Sequence, residues 1–332
     1  MTDPQISIRN LCVDYITESG DVRAVNNVSF DIGKGEVFGL AGESGCGKST
    51  IAFSLMRLHK PPAFITGGEV IFDGQDILKY SDPQMQAFRW SEMSMVFQSA
   101  MNALNPVLPM EEQFCDVIMR HTTMTREQAI TRAQAITRAQ GLLEIVDIHP
   151  SRLSDYPHQF SGGMRQRLVI AIALALNPKM IIMDEPTTAL DVVVQREILQ
   201  KIYALKEEFG FSILFITHDL SLMVEFSDRI GIMYSGELIE VASSKEILTS
   251  PYHPYTKGLG SSFPPLTGPK TKLTGIPGNP LNLLEIPQGC RFQSRCHHAH
   301  EICRTIPTQL RQIETGHFSN CHLFTQLQYL ES

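Results

Sequence analysis

The chain has 332 residues, of which 43% are hydrophobic, and carries a formal net charge of −7 at pH 7. This length predicts one large domain with an appendage. The acidic composition argues against a nucleic-acid partner, because a phosphate backbone selects basic surfaces. No stretch of the sequence approaches the roughly 20 apolar residues of a membrane-spanning helix, and the N-terminal residues lack the basic-then-apolar order of a signal peptide. We therefore expect a cytosolic protein that reaches a membrane only through partners.

Strand-like segments alternate with helical ones along most of the chain. Short apolar stretches bounded by turn residues predict strands, at residues 6–15, 25–32, 37–41, 67–72, 93–97, 180–183, 213–217 and 230–234. Between the fifth and sixth of these strands the sequence is helical in character. The alternation predicts an α/β domain over residues 1–250, with an inserted helical subdomain at about 99–156.

The helical subdomain contains the hexad AITRAQ twice in tandem, at residues 129–134 and 135–140. Because six residues turn a helix through about 600°, the two copies would not share a face. We interpret the repeat as a short duplication that lengthens a surface helix.

The composition changes from residue 251 onward. Prolines interrupt this part of the sequence at Pro254, Pro264, Pro265, Pro269, Pro277, Pro280 and Pro287, with glycines between them. The pattern predicts a separate, loop-rich C-terminal extension over residues 251–332.

A glycine-rich motif, GESGCGKS at residues 42–49, follows the predicted strand at 37–41. Its glycines would let backbone N–H groups point at phosphates, and the helix that follows would add the positive end of its dipole. Lys48 would reach the β- and γ-phosphates, and the Ser49 hydroxyl would hold Mg²⁺. A plain glycine turn is the alternative. Cys46 lies in this loop at a helix N-terminus, where thiol pKa values tend to fall, so we expect a reactive thiol.

The apolar segment 180–183 ends in two acids, Asp184 and Glu185. A carboxylate at the end of a strand can hold Mg²⁺, and a second one beside it can polarise a water for in-line attack on a γ-phosphate. Many strands end in acids, so the motif indicates this chemistry only together with the phosphate loop.

A second candidate anion site is the segment SGGMRQR at residues 161–167, which precedes an apolar helix. Ser161 is a good N-cap and the glycines leave N–H groups exposed. Two such sites in one chain suggest a two-chain sandwich, whereas an ordinary capped helix is the alternative. His218, Gln98 and Tyr15 are individually typical of capping or packing residues.

In this order, the segments resemble the ATP-binding cassette of ABC transporters over residues 5–250. The resemblance implies ATP and Mg²⁺ as cofactors, and a head-to-tail dimer. It implies a phosphate loop made of Gly42, Glu43, Ser44, Gly45, Cys46, Gly47, Lys48, Ser49 and Thr50, and a signature loop made of Ser161, Gly162, Gly163 and Met164.

Further roles follow from the same resemblance. Tyr15 would stack on adenine, and Gln98 would contact Mg²⁺ and sense the γ-phosphate. Asp184 would serve Mg²⁺ and Glu185 would be the catalytic base. Asp191 would communicate across the dimer, and His218 would contact the γ-phosphate.

The chain is most similar to the ATPase subunits of dipeptide and oligopeptide ABC importers. The similarity rests on MNALNP at residues 101–106, YPHQ at 156–159, HPYT at 253–256, Met164 in the signature and the C-terminal cysteines. It implies as partners a second ATPase subunit (a paralogue or an identical copy), two membrane-spanning permease subunits and, indirectly, a solute-binding protein. The chain would then lie peripherally on the cytoplasmic side of the inner membrane.

Other functions remain open from the sequence. Related ATPases serve importers of nickel or oligosaccharides. A soluble ABC ATPase of repair or translation would carry a second cassette, a long coiled coil or a basic insert, and none is visible in the sequence. An exporter subunit would lack an extension like residues 251–332.

Four cysteines crowd into the extension with the spacing C-x5-C-x6-C-x17-C, as Cys290, Cys296, Cys303 and Cys321. Four thiolates are the usual ligand set of an iron–sulfur cluster, although this spacing matches neither the ferredoxin patterns nor close zinc pairs. The segments GCRF at 289–292 and RC at 295–296 resemble the cluster-bearing tail of peptide importers, which implies a structural [4Fe–4S] cluster. Zinc, with ligands from His297, His298, His300, His317 and His322, and free thiols are the alternatives.

Overall fold

The computed structural model describes residues 3–18, 20–98, 103–121, 128–186, 192–261 and 275–325. Its contacts divide the chain into two compact units. The first unit consists of Met1–Gln5, Gly33–Glu36 and Lys79–Leu214, and the second of Ile6–Ile32, Val37–Leu78 and Phe215–Ser332. The predicted boundary after residue 250 stays a prediction.

The strands and helices are numbered in chain order. The strands are β1 Ile6–Thr17, β2 Gly20–Ile32, β3 Val37–Ala41, β4 Ala63–Phe72, β5 Gln75–Asp76, β6 Met93–Val96, β7 Met180–Asp184, β8 Ser212–Ile216, β9 Arg229–Tyr234, β10 Glu237–Ser243, β11 Arg311–Glu314 and β12 His317–Ser319. The helices are α1 Lys48–Leu55, α2 Asp82–Ser91, α3 Met110–His121, α4 Gln128–Ile145, α5 Gly162–Ala173, α6 Val192–Phe209, α7 Leu220–Phe226, α8 Ser244–Thr249, α9 Pro254–Ser261, α10 Glu301–Thr305 and α11 His322–Thr325.

The second unit contains an antiparallel sheet in the order β2-β1-β4-β5. Its central strand, β1, buries alternate apolar residues such as Ile6 and Ile8, as period-two patterning requires. Ile6 lies opposite Ile32 on one side and Phe72 on the other. The hairpin is longer than the sequence predicted, because β1 and β2 remain paired up to Thr17.

The second unit also contains the run β11-β12-β10-β9-β3. β3 pairs with β9 in parallel, and β10 pairs with both β9 and β12 in antiparallel fashion. The sequence did not predict β10 or β12. The apolar pattern of β10 is interrupted by Glu240, which is buried, and β12 is only three residues long.

The first unit contains the parallel pair β6 and β7, with β8 next to β7. Helices α3 and α4 lie within the range of the predicted helical subdomain and pack against each other, and the bounds of that subdomain stay a prediction. Residues 99–102 and 122–127 of the predicted subdomain lie outside the described residues.

The second copy of the tandem hexad lies in α4 and buries one face of that helix. Ala135 and Ala139, which are four residues apart and so share a helix face, are both buried. Arg138, between them, donates to the carbonyl oxygens of Leu174 and Ala175 just beyond the end of α5. The second copy is therefore part of the packing of α4 against its neighbours. Within the described ranges, no helix is both long and apolar enough to cross a bilayer.

Candidate active site

The phosphate loop joins β3 to α1 in the second unit and needs its glycines for steric reasons. Gly42 has φ 147° and Gly47 has φ 106°, both in the region that favours glycine. A Cβ on Gly42 would press against the carbonyl oxygen of Met233, and one on Gly47 would lie 2.5 Å from that of Ala24. Glycine at these positions therefore lets the loop pack tightly against the adjacent backbone.

Lys48, the first residue of α1, is buried under this loop. Its Nζ atom donates to the carbonyl oxygens of Gly42 at 2.8 Å and Glu43 at 2.9 Å. The loop thus folds around the ammonium group, which places a positive charge beside the backbone N–H groups that would bind phosphate. Ser49 and Thr50 follow in the first turn of α1, and both are partly exposed.

The expectation of a reactive thiol at Cys46 is wrong. The side chain is 4% exposed, and burial raises its pKa above the ordinary value, although the Lys48 charge acts in the opposite direction. Desolvation of the thiolate therefore outweighs the effect of the lysine.

Glu43, the second residue of the loop, is held by two residues that sequence reasoning did not single out. Its carboxylate accepts two bonds from Arg295, at 2.8 and 2.9 Å. Its backbone N–H donates to the hydroxyl oxygen of Tyr255 at 3.0 Å. Tyr255 lies in the motif HPYT and Arg295 in the motif RC, and both motifs contribute to the family resemblance. Their place in these motifs was the sequence feature that could have identified them as site residues.

The acidic strand end lies in the first unit. Asp184 is the last residue of β7 and is buried, and Glu185 follows it with φ 48°. A left-handed backbone is uncommon for a residue other than glycine and is often found at functional sites. Gln98, which follows β6, donates from Nε2 to the Glu185 carboxylate at 2.8 Å. The parallel pairing of β6 with β7 brings these two residues together at one sheet edge.

The signature segment is also in the first unit and begins α5. Ser161 is the N-cap, and its Oγ atom accepts from the backbone N–H of Met164 at 3.4 Å. Gly163 packs closely, since a Cβ there would lie 3.3 Å from the Val194 side chain. Arg152 lies over the Phe160 ring at 4.2 Å and supports the turn that precedes the cap.

The remaining predicted nucleotide residues have different positions. Tyr15 is half-buried on β1, where it lies opposite Val22 and Ala63. His218 is exposed and lies between β8 and the α7 N-cap, Asp219. Asp191 lies outside the described residues.

The four C-terminal cysteines lie close enough together to influence one another. Burial raises the pKa of Cys290 to about 12, and the neighbouring thiols of Cys303, Cys321 and Cys296 add to the rise. Burial likewise raises the pKa of Cys321 to about 11. The backbone N–H of Cys290 donates to the Cys303 carbonyl oxygen at 2.8 Å, an approach that leaves no room for a side chain at Gly289.

Three of the five candidate zinc histidines have other partners, and one of these is His300, whose Nδ1 atom lies 3.2 Å from the carbonyl oxygen of His298. His317 is buried, and its Nε2 atom lies 2.8 Å from the Glu240 carboxylate. His322 donates from Nε2 to the carbonyl oxygen of Ile306 at 2.9 Å. His300 differs from these two, because its Nδ1 atom also lies 3.3 Å from the Cys303 sulfur. As placed, the described histidines, cysteines and acids form no group of three that could hold a metal ion.

Known protein families match the chain in two places. The ABC transporter family matches residues 25–188, and the family described as oligopeptide/dipeptide transporter, C-terminal region, matches residues 239–303. The dipeptide transport ATP-binding protein DppD of Bacillus subtilis (strain 168) is 42% identical over 323 residues, which cover 97% of this chain and 95% of that protein. The chain belongs to the ATP-binding subunits of dipeptide and oligopeptide ABC transporters.

Another member of the family and a solved ATP-binding cassette support this assignment. The oligopeptide transport ATP-binding protein OppD of Escherichia coli (strain K12) is 40% identical over 321 residues, or 96% of this chain and 93% of that protein. The cassette MJ0796, solved as a post-hydrolysis dimer bound to ADP and Pi, shares 29% identity and a TM-score of 0.62, covering 72% of this chain and 98% of its own. The predicted fold class and family are confirmed, and the chain is an ABC-type ATP hydrolase that binds ATP with Mg²⁺.

Proposed function

We propose that the chain hydrolyses ATP as one half of a head-to-tail dimer and so drives the import of peptides by an ABC transporter. The observation that carries the proposal is the pairing of an ABC phosphate loop with a peptide-transporter C-terminal region in one chain. The second ATPase subunit is a paralogue or an identical copy, and two permease subunits hold the chain at the cytoplasmic side of the membrane. A solute-binding protein delivers the peptide.

The residues present suit Mg²⁺, which prefers hard oxygen ligands. We assign the ion to the Ser49 hydroxyl, the Gln98 amide oxygen and the Asp184 carboxylate. When bound, it would neutralise charge on the transferred phosphoryl group. The position of Asp184 at the end of β7, directly before Glu185, suits this assignment.

We assign the proton transfer to Glu185. Its carboxylate would accept a proton from a water whose oxygen attacks the γ-phosphorus in line, while the bond to the β–γ bridging oxygen breaks and ADP leaves. Gln98, already bonded to Glu185, would help to orient that carboxylate. His218 would contact the γ-phosphate from the end of its strand.

The binding roles follow the same reasoning. Lys48 and the loop from Gly42 to Thr50 would hold the phosphates, and Tyr15 would stack on the adenine. The segment 161–164 would complete the site of the partner subunit, with its capped helix terminus facing the nucleotide. Asp191 would communicate across the dimer.

The contact with the permease would involve the segment after Gln98. Ala103 is exposed, whereas Leu104 is buried at 6% exposure. The segment instead exposes Val107 at 75% and Leu108 at 40%. Exposed apolar residues side by side favour a protein interface.

We also propose that Cys290, Cys296, Cys303 and Cys321 bind a structural [4Fe–4S] cluster. Their mutual proximity and the reduced state of all four cysteines support this proposal. The sulfurs would have to turn toward one centre, and Cys303 would have to leave His300. A cluster would cross-link a region poor in apolar core.

Two experiments test these proposals. In proteoliposomes with the permease subunits, ATP hydrolysis should rise when a peptide-loaded solute-binding protein is added; a rise with nickel- or oligosaccharide-loaded protein alone would contradict the peptide assignment. Anaerobically purified chain should absorb near 400 nm and contain about four irons, as a four-iron cluster requires. Colourless protein with one zinc per chain would establish the zinc alternative.

A further inference from the structure

The C-terminal extension reaches the phosphate loop through one ion pair. Both terminal nitrogens of the Arg295 guanidinium donate to the Glu43 carboxylate, at 2.8 and 2.9 Å. The Arg295 side chain is only 5% exposed, and its Nε atom donates to the carbonyl oxygen of Pro277 at 2.7 Å. A bidentate pair with this degree of burial is held far more firmly than an exposed one.

An aromatic cluster fixes the position of this pair. The rings of Tyr234 and Tyr255 lie 4.8 Å apart, and Phe292 lies 5.2 Å from the first and 5.4 Å from the second. The Arg295 guanidinium lies 5.8 Å from the Tyr234 ring centre, within cation–π range. Tyr255, which is fully buried, also accepts the bond from the Glu43 backbone.

The negative charge of Glu43 needs Arg295 as a partner because Glu43 lies in the phosphate loop. Glu43 belongs to the loop that receives the phosphates of ATP, and an unpaired carboxylate there would repel them. Lys48 donates its own bonds to the backbone carbonyl oxygens of Gly42 and Glu43. The bond to Glu43 raises the pKa of Arg295 further, so the guanidinium stays charged at any working pH.

We propose that Arg295 is a positioning residue for ATP binding: it neutralises Glu43 and fixes the phosphate loop, so the C-terminal extension sets the affinity of the cassette for nucleotide. Arg295 touches the loop and not the reacting atoms. The inference rests on the proposed role of this loop in binding ATP, and it goes beyond it by giving the extension a part in that binding.

Titration calorimetry of MgATP on the full-length chain tests the inference. All variants carry Glu185→Gln, so that nucleotide persists. Arg295→Met should weaken binding by about tenfold, since an unpaired charge then acts on the phosphates at partly screened range. Glu43→Gln alone leaves the Arg295 cation unpaired near the phosphates and should tighten ATP binding. The double variant should return to within about twofold of the parent, because neither charge remains.

The rescue separates the electrostatic role from a structural one. If Arg295→Met binds ATP like the parent, or if the double variant stays as weak as Arg295→Met, the proposal is wrong. Glu237→Gln is a matched control. The Glu237 carboxylate lies 3.0 Å from the guanidinium of Arg291, a second buried arginine of the extension, and the substitution removes that negative charge. The affinity for ATP should be unchanged. A parent that binds no ATP would instead refute the proposed function of the loop.

Discussion

Glu240 should be one of the most important single residues for attaching the C-terminal extension. It is fully buried, yet it carries a carboxylate that accepts three bonds. The donors are the backbone N–H of Tyr252 at 2.6 Å, the backbone N–H of His253 at 3.0 Å and the Nε2 atom of His317 at 2.8 Å. Through these bonds β10 is joined both to the segment before α9 and to β12.

Replacing Glu240 with Leu keeps a similar volume but leaves all three donors without an acceptor. Each unsatisfied buried donor costs about 1–3 kcal/mol, although relaxation and water entry reduce the sum. With three such donors and partial relaxation, we expect a loss of about 3–5 kcal/mol. Burial lowers the pKa of the adjacent His253 to about 4, so this imidazole stays neutral at pH 7 and adds no charge to the site.

Urea denaturation followed by far-UV circular dichroism measures the effect, together with limited proteolysis of the extension. Glu314→Leu is the matched control, because Glu314 is an exposed acid of the same extension with a single bond, from the Tyr252 hydroxyl at 2.6 Å. It should cost less than about 1 kcal/mol. If the Glu240 and Glu314 variants unfold at the same urea concentration and are cut equally fast, the reasoning about buried donors is wrong.

Three further predictions concern the site. Glu185→Gln should keep ATP binding in calorimetry while turnover in a phosphate-release assay falls by about 10²–10⁴, the usual contribution of a positioned base; turnover near the parent's would contradict the assignment. In native protein Cys46, which is buried, should react with maleimide far more slowly than the partly exposed Cys12, and mass spectrometry after urea treatment should show both labelled. Val107→Asp should reduce peptide transport per ATP hydrolysed in proteoliposomes, whereas Leu248→Asp, at 57% exposure elsewhere, should not; equal coupling in the two would place the permease contact away from Val107.

Local patterns were enough to predict most of the core. The strand at 37–41 and the one ending in Asp184 are short apolar runs next to functional motifs, and both form as expected. β10 was missed because Glu240 interrupts its apolar pattern, and its burial depends on bonds from residues far along the chain. The buried face of α4 was not predicted, because alanine alone does not distinguish a buried face from an exposed one.

In the candidate active site too, local sequence patterns predict residue roles but not burial or distant partners. The residue types of the phosphate loop and the acidic strand end are fixed by local chemistry, so they are visible in the sequence. The thiol of Cys46 was misjudged because its helix-terminal position is apparent from sequence, whereas its burial is not. The partner of Glu43 could not be predicted by spacing, since Arg295 lies 252 residues away and only the fold brings them together.

The separation of Glu43 and Arg295 in the sequence also determines when their ion pair can form during synthesis. At about 5–20 residues per second, the 252 residues between Glu43 and Arg295 take roughly 13–50 s to translate. During this interval the loop has already left the ribosome, while the arginine that pairs with its carboxylate does not yet exist. We expect the nascent cassette to bind ATP weakly until the extension folds, so tight nucleotide binding arises only in subunits whose extension is in place.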